Sequence, residues 1–105
     1  MKLLIIILNA EEHFETILSI LTELDAPNAT IIESEKLEQF LANKVPIFAG
    51  LREIMGETRS VCKTILTFID EKEFLPKFKK LLAEEKIDFN SSDTGIMLTI
   101  AADKV

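Results

Sequence analysis

The chain has no tryptophan, no tyrosine, one cysteine, one histidine and only two arginines. With Cys62 alone, no disulfide can close within the chain, and nothing marks an oxidising compartment. His13 and Cys62 fall on different predicted elements, so no zinc-ligand spacing exists. Arg59 and Lys63 lie near Cys62 in sequence, but no histidine stands there to act as a base, so a structural cysteine is expected. Ser60, Ser91 and Ser92 belong to no visible triad. There is no Walker motif and no GxGxxG. Acidic residues outnumber basic ones and the net charge is −6, which argues against a general nucleic-acid binder. Long apolar runs are missing as well. Leu3–Leu8 is far too short to span a bilayer, and no small-residue cleavage site follows it, so a cytoplasmic protein is expected; with no catalytic constellation visible, it is not expected to be an enzyme.

What is present is nearly half hydrophobic, and 105 residues is the length of one domain. Lys2–Leu8 is an aliphatic run without polar alternation, the signature of a strand covered on both faces. Asn9, with Glu12 three residues on, is a candidate capping box for a helix from Ala10 to about Asp25, with Phe14, Ile17, Leu18, Leu21 and Leu24 as its apolar stripe. Pro27 disfavours helix at Ala26. Ala29–Ser34 reads as a second strand, and Ser34 as the cap of a short helix to Ala42. Val61–Ile69 reads as a third strand. Asp70, with Glu73, caps a helix whose stripe is Phe74, Phe78, Leu81 and Leu82. Pro76 inside it predicts either a later start, nearer Glu73, or a kink. Asp88–Thr94 is a polar turn and Gly95–Ala101 a last strand. The order is that of an α+β, ferredoxin-like βαββαβ sandwich over residues 1–105. It implies a four-stranded antiparallel sheet, two helices on one face, and a long loop between strands two and three.

Two helices cover one face of such a sheet. The first strand is nevertheless apolar on both, with Leu3, Ile5 and Ile7 opposite Leu4, Ile6 and Leu8. Thr64, Leu66 and Phe68, with Met97 and Thr99, are expected to extend the second apolar face. Sheets of several copies are therefore expected to pack together; the alternative is that the chain's own loop folds back over that face.

The loop holds the chemistry that remains. Lys44–Lys63 carries both arginines, Arg52 and Arg59, together with Pro46, Gly50 and Gly56. A long irregular connection in a short domain is a candidate functional segment. Lys44, Arg52, Arg59 and Lys63 either line an anion-binding cleft between copies or pair with Glu53 and Glu57. Ser91–Gly95 offers small residues whose N–H groups suit an anion, but from these residues alone it reads first as an ordinary turn. An RNA platform is a poor fit, since the first strand has no aromatic residue and the third only Phe68.

In order along the chain, MKLLIIILN, ATIIES, PIFAGLRE, CKTILTFIDE and TGIMLTIAADKV resemble the PII-type nitrogen regulatory signalling proteins, and most of all their divergent, short PII-like relatives. The resemblance implies a homotrimer with its sheets facing inward. It implies an adenine nucleotide bound between subunits, at the base of the Ser34–Val61 loop and at Ser91–Gly95, and a transporter or enzyme partner docked by the loop. On this chain the implied ligand contacts are Arg52, Arg59, Lys63, Thr94 and Gly95, and the partner face of the loop is Phe48, Leu51 and Met55. The chain departs from the pattern in three ways. No tyrosine is available for loop nucleotidylation. The glycine-rich phosphate turn with its lysine is reduced to Thr94-Gly95 followed by Ile96. The basic segment after the last strand is missing, since the sequence stops at Val105. These departures favour a less charged ligand such as AMP, or no nucleotide, over ATP. The alternative function is a ferredoxin-like module for a small metabolite or metal, without loop-mediated signalling; an acylphosphatase-like enzyme would need an arginine where Asn9–Glu12 stands.

Overall fold

A computed structural model of the chain describes residues 1–26, 28–44, 47 and 61–105. Pro27, Pro46, Phe48, Gly50, Leu51, Arg52, Glu53, Ile54, Met55, Gly56, Glu57, Arg59 and Ser60 lie outside the described residues. The strands are β1 (Lys2–Leu8), β2 (Thr30–Glu35), β3 (Val61–Ile69) and β4 (Gly95–Ala101). The helices are α1 (Phe14–Glu23), α2 (Leu37–Lys44) and α3 (Glu71–Glu84). The four strands form one sheet in the order β2-β3-β1-β4 with every neighbouring pair antiparallel, which is the ferredoxin-like arrangement.

The two faces of β1 have different fates. Leu4, Ile6 and Leu8 are buried with Ile65 and Ile69 of β3, beneath Ile17, Ile20 and Leu21 of α1 and Phe78 and Leu82 of α3. The Phe74 and Phe78 rings on α3 lie 5.3 Å apart between centroids, tilted, which extends that packing along the helix. Leu3, Ile5 and Ile7 point the other way.

Cross-strand register decides what accompanies them. Ile7 faces Thr64 and Ile96, Ile5 faces Leu66 and Leu98, and Leu3 faces Phe68 and Ile100. The β4 row on the uncovered face is therefore Ile96, Leu98 and Ile100, all exposed. Met97 and Thr99, expected there from alternation alone, belong to the helix-covered side opposite Ile6 and Leu4. Pairing with β1 sets which row is which, and it exchanges a mixed Met/Thr row for three large aliphatic side chains.

Two local expectations are replaced, at Asn9 and Ser34, and a third, at Asp70, is met. No side-chain cap starts the first helix; a 3₁₀ turn, Glu11–His13, leads into α1. Asn9 is instead committed to the turn before β4: its N–H and that of Ala10 both donate to the Thr94 carbonyl, at 2.9 and 3.2 Å. Ser34 lies inside β2, which runs on to Glu35, and does not cap α2. Finally, α3 starts directly after Asp70, whose carboxylate accepts from the Lys72 N–H at 3.1 Å, and runs through Pro76 to Glu84. Pro76 forgoes one backbone bond on an exposed stretch of helix without shortening it.

Candidate functional site

The β1 C-terminus is where the described candidates meet. Leu8 pairs with Lys63 on one side and with Gly95 on the other, so Lys63, Thr94 and Gly95 gather at one end of the sheet. They do not share a surface. Lys63 points to the helix-covered side, its Nζ paired with Glu33 and 5.4 Å from the centroid of the Phe14 ring. The hydrogen bond from Lys63, and then its positive charge, hold the Glu33 carboxyl below the usual carboxylate range. Lys63 is therefore a neutralised cation in the resting fold. Arg52 and Arg59 fall outside the described residues.

The turn before β4 is closed by its own bonds. Asn90 N–H donates to Asp88 Oδ1, Ser91 N–H to the Asp88 carbonyl, and Thr94 N–H to the Ser91 carbonyl. Ser92 and Asp93 N–H take part in none of these. Asn9 Nδ2 reaches the Ser92 carbonyl at 3.4 Å, while its Oδ1 is buried without a hydrogen-bond partner. Thr94 is buried, and Gly95 has a φ of +138°, at a position where a side chain would run into the Ile7 carbonyl, so both the conformation and the space call for glycine.

At the same end of the sheet, on the uncovered face, lies a polar trio that sequence reading did not assemble. Ser34 Oγ donates to the Cys62 carbonyl at 3.0 Å and lies 2.8 Å from Thr64 Oγ1 and 3.1 Å from Cys62 Sγ. A hydroxyl has one proton and two lone pairs, so with its proton spent on the carbonyl it accepts from the other two. Ser34 pairs directly with Cys62, and Ile32 with Thr64, which places the trio on two neighbouring strands. The trio floors a cavity of about 570 Å³ whose walls combine Ile7, Ile96 and Leu37 with Glu35, Lys36, Glu38 and Gln39. A concave site that combines apolar side chains with converging polar groups has the make-up to hold a small molecule. The available signal was the period of two through Thr30, Ile32 and Ser34, but Ser34 also suits a helix cap.

No family model matches this chain, and no curated protein matches it. Function must therefore be read from the site itself. Among the described residues, no group of three or more His, Cys, Asp or Glu side chains could hold a metal ion, and no helix is long and apolar enough to cross a membrane.

Proposed function

We propose that the chain is a PII-like regulatory protein without catalytic activity, a cytoplasmic homotrimer. Three sheets face inward and bury the apolar side that the helices leave open. A small anionic effector, an adenine nucleotide of low charge such as AMP, binds between subunits at the end of the sheet marked by Lys63, Thr94 and Gly95, with Arg52 and Arg59 from the loop. The 34–61 loop, through Phe48, Leu51 and Met55, docks on a transporter or enzyme and carries the signal.

The observation that carries this reading is the uncovered sheet face. Phe68 is 60% exposed, Ile96 54%, Ile100 46% and Leu98 40%, and they form one patch around the half-buried Leu3, Ile5 and Ile7. Each large side chain left in water forgoes about 1.5–3 kcal/mol, and contiguous patches of this kind mark interfaces. The cavity over Ser34, Cys62 and Thr64 opens on the same face, where a neighbouring subunit would complete it.

Light scattering on the purified chain, beside a thermal-shift panel with AMP, ADP, ATP, cyclic nucleotides, 2-oxoglutarate and divalent cations, tests both halves. A trimer whose melting temperature rises with an adenine nucleotide is the expected result. Phe68→Glu should give a folded monomer, because the ring contributes little to the core of one chain. A wild-type monomer at micromolar concentration would sink the oligomer. An intact trimer that responds only to a neutral metabolite would favour the metabolite-binding alternative, which the cavity over the polar trio supports.

A further inference from the structure

The flank of α3 beside β4 holds a second cavity, of about 600 Å³, that shares no residue with the one over Ser34 and does not include Lys63, Thr94 or Gly95. Its shape follows from how α3 ends. Lys79, Leu82 and Ala83 stand at i, i+3 and i+4, so they line one flank of the helix. Lys86 then takes a left-handed φ of 57° and the chain doubles back, with Ile87 N–H donating to the Leu82 carbonyl at 2.9 Å. The reversal tucks Ile87 into the core and leaves Phe89 half-buried in the cavity wall. Met97 of β4, also half-buried, completes the apolar lining.

The charges around that lining do not balance. Lys79 and Lys86 are exposed, and neither forms an ion pair among the described residues. The chain carries more acidic than basic groups, yet these two cations stand unpaired beside apolar surface. Asp88 is the one acid in the lining, and its Oδ1 already accepts from the Asn90 N–H at 2.9 Å. Two cations against one anion leave a single positive charge in surplus, which suits a monoanion and disfavours a di- or triphosphate. A lysine ammonium is a point charge on a flexible stem, so it meets one carboxylate without the planar fork that arginine would bring. The lining asks for a hydrocarbon body, and the thioether of Met97 adapts to its shape.

We propose that this cavity binds an amphipathic monocarboxylate, its hydrocarbon body against Leu82, Ile87, Phe89 and Met97 and its carboxylate held by Lys79 and Lys86. Met97 belongs to the helix-covered row of β4, so the site lies away from the sheet face that the proposed trimer buries. The inference therefore rests neither on that assembly nor on its nucleotide.

NMR titrations of the full chain with sodium octanoate, octan-1-ol and AMP test it. Octanoate should move the Leu82, Ile87 and Met97 methyl signals in a saturable way. Octan-1-ol has the same chain length without the charge, and should bind at least tenfold more weakly. The double change Lys79→Gln with Lys86→Gln should weaken octanoate at least tenfold and leave octan-1-ol unchanged. Ala83→Phe, at an exposed helix position, should fill the cavity and abolish binding of both while circular dichroism stays native. AMP should not displace octanoate. Equal affinity for octanoate and octan-1-ol overturns the proposal, as does binding that survives Ala83→Phe or yields to AMP. Shifts confined to Ile7, Thr64 and Ile96, in the other cavity, overturn it too, and so does the absence of any saturable shift.

Discussion

Gly95 sits so close to Ile7 that a Cβ built on it would stand 2.0 Å from the Ile7 carbonyl oxygen. The obstacle is backbone of the central strand, which cannot move aside, and the φ of +138° is one that only glycine adopts freely. Gly95→Ala should therefore destabilise the fold by about 3 kcal/mol or more. Urea denaturation measures this directly, and a loss under half that size would mean that β1 and β4 separate without cost at this end.

Both long helices end on a left-handed residue that is not glycine. Asp25 has a φ of 60° and Lys86 one of 57°. Each closes the turn with the pair of bonds typical of such ends: Ala26 N–H to the Leu21 carbonyl and Asp25 N–H to the Thr22 carbonyl after α1, and Ile87 N–H to the Leu82 carbonyl and Lys86 N–H to the Ala83 carbonyl after α3. Asp25→Gly and Lys86→Gly should each stabilise by about 0.5–1 kcal/mol, since the relief of strain exceeds the added flexibility of the unfolded chain. Asp25→Gly should give the larger gain because it also removes a negative charge from a helix C-terminus. The two turns close different helices through different carbonyls, so the effects should add in thermal melts.

Ser34 ties β2 to β3 through three contacts of one hydroxyl. Ser34→Ala should cost about 1 kcal/mol, the usual net worth of such a bond. It should also free the Cys62 thiol, which is 8% exposed in the native chain. Modification of Cys62 by a disulfide reagent should be slow in the wild type and faster in the variant. Equal rates would show that the hydroxyl does not hold the thiol.

The Lys63–Glu33 pair is uneven: the lysine side chain is 17% exposed and the glutamate 70%. Removing Lys63 returns Glu33 to water, whereas removing Glu33 leaves a mostly buried ammonium unpaired, so Glu33→Ala should lower the melting temperature more than Lys63→Met. The folded pKa of Glu33 is depressed, so its contribution is present above the ordinary carboxylate pKa and is lost as pH falls through the lower folded value. Glu33→Gln should accordingly flatten the acid limb of a stability–pH curve and leave the alkaline limb unchanged. An unchanged acid limb would mean the pair contributes nothing.

Strands were the most legible part of this chain. Lys2–Leu8, Val61–Ile69 and Gly95–Ala101 are rich in aliphatic and β-branched residues, and each became a strand with those bounds. Asp70 is a legible cap because a carboxylate just before an amphipathic run has one obvious local use. Asn9 and Ser34 were not legible, since each has a local use that a distant partner outbids. Asn9 is claimed by the turn before β4, and Ser34 by Cys62 and Thr64. At the candidate site, the sequence marked Lys63, Thr94 and Gly95, but not that Lys63 is already paired with Glu33.

Composition and periodicity alone determined the element order, the antiparallel α+β class and the surplus of apolar surface on β1, because these follow from local spacing and from counting faces. Tertiary structure decided which row of β4 joins that surplus, where the Ser34 hydroxyl points and which edges remain open. Those depend on pairing between residues at opposite ends of the chain, Leu3 with Ile100 among them. A shift of one residue in such a pairing reverses every side chain on the strand.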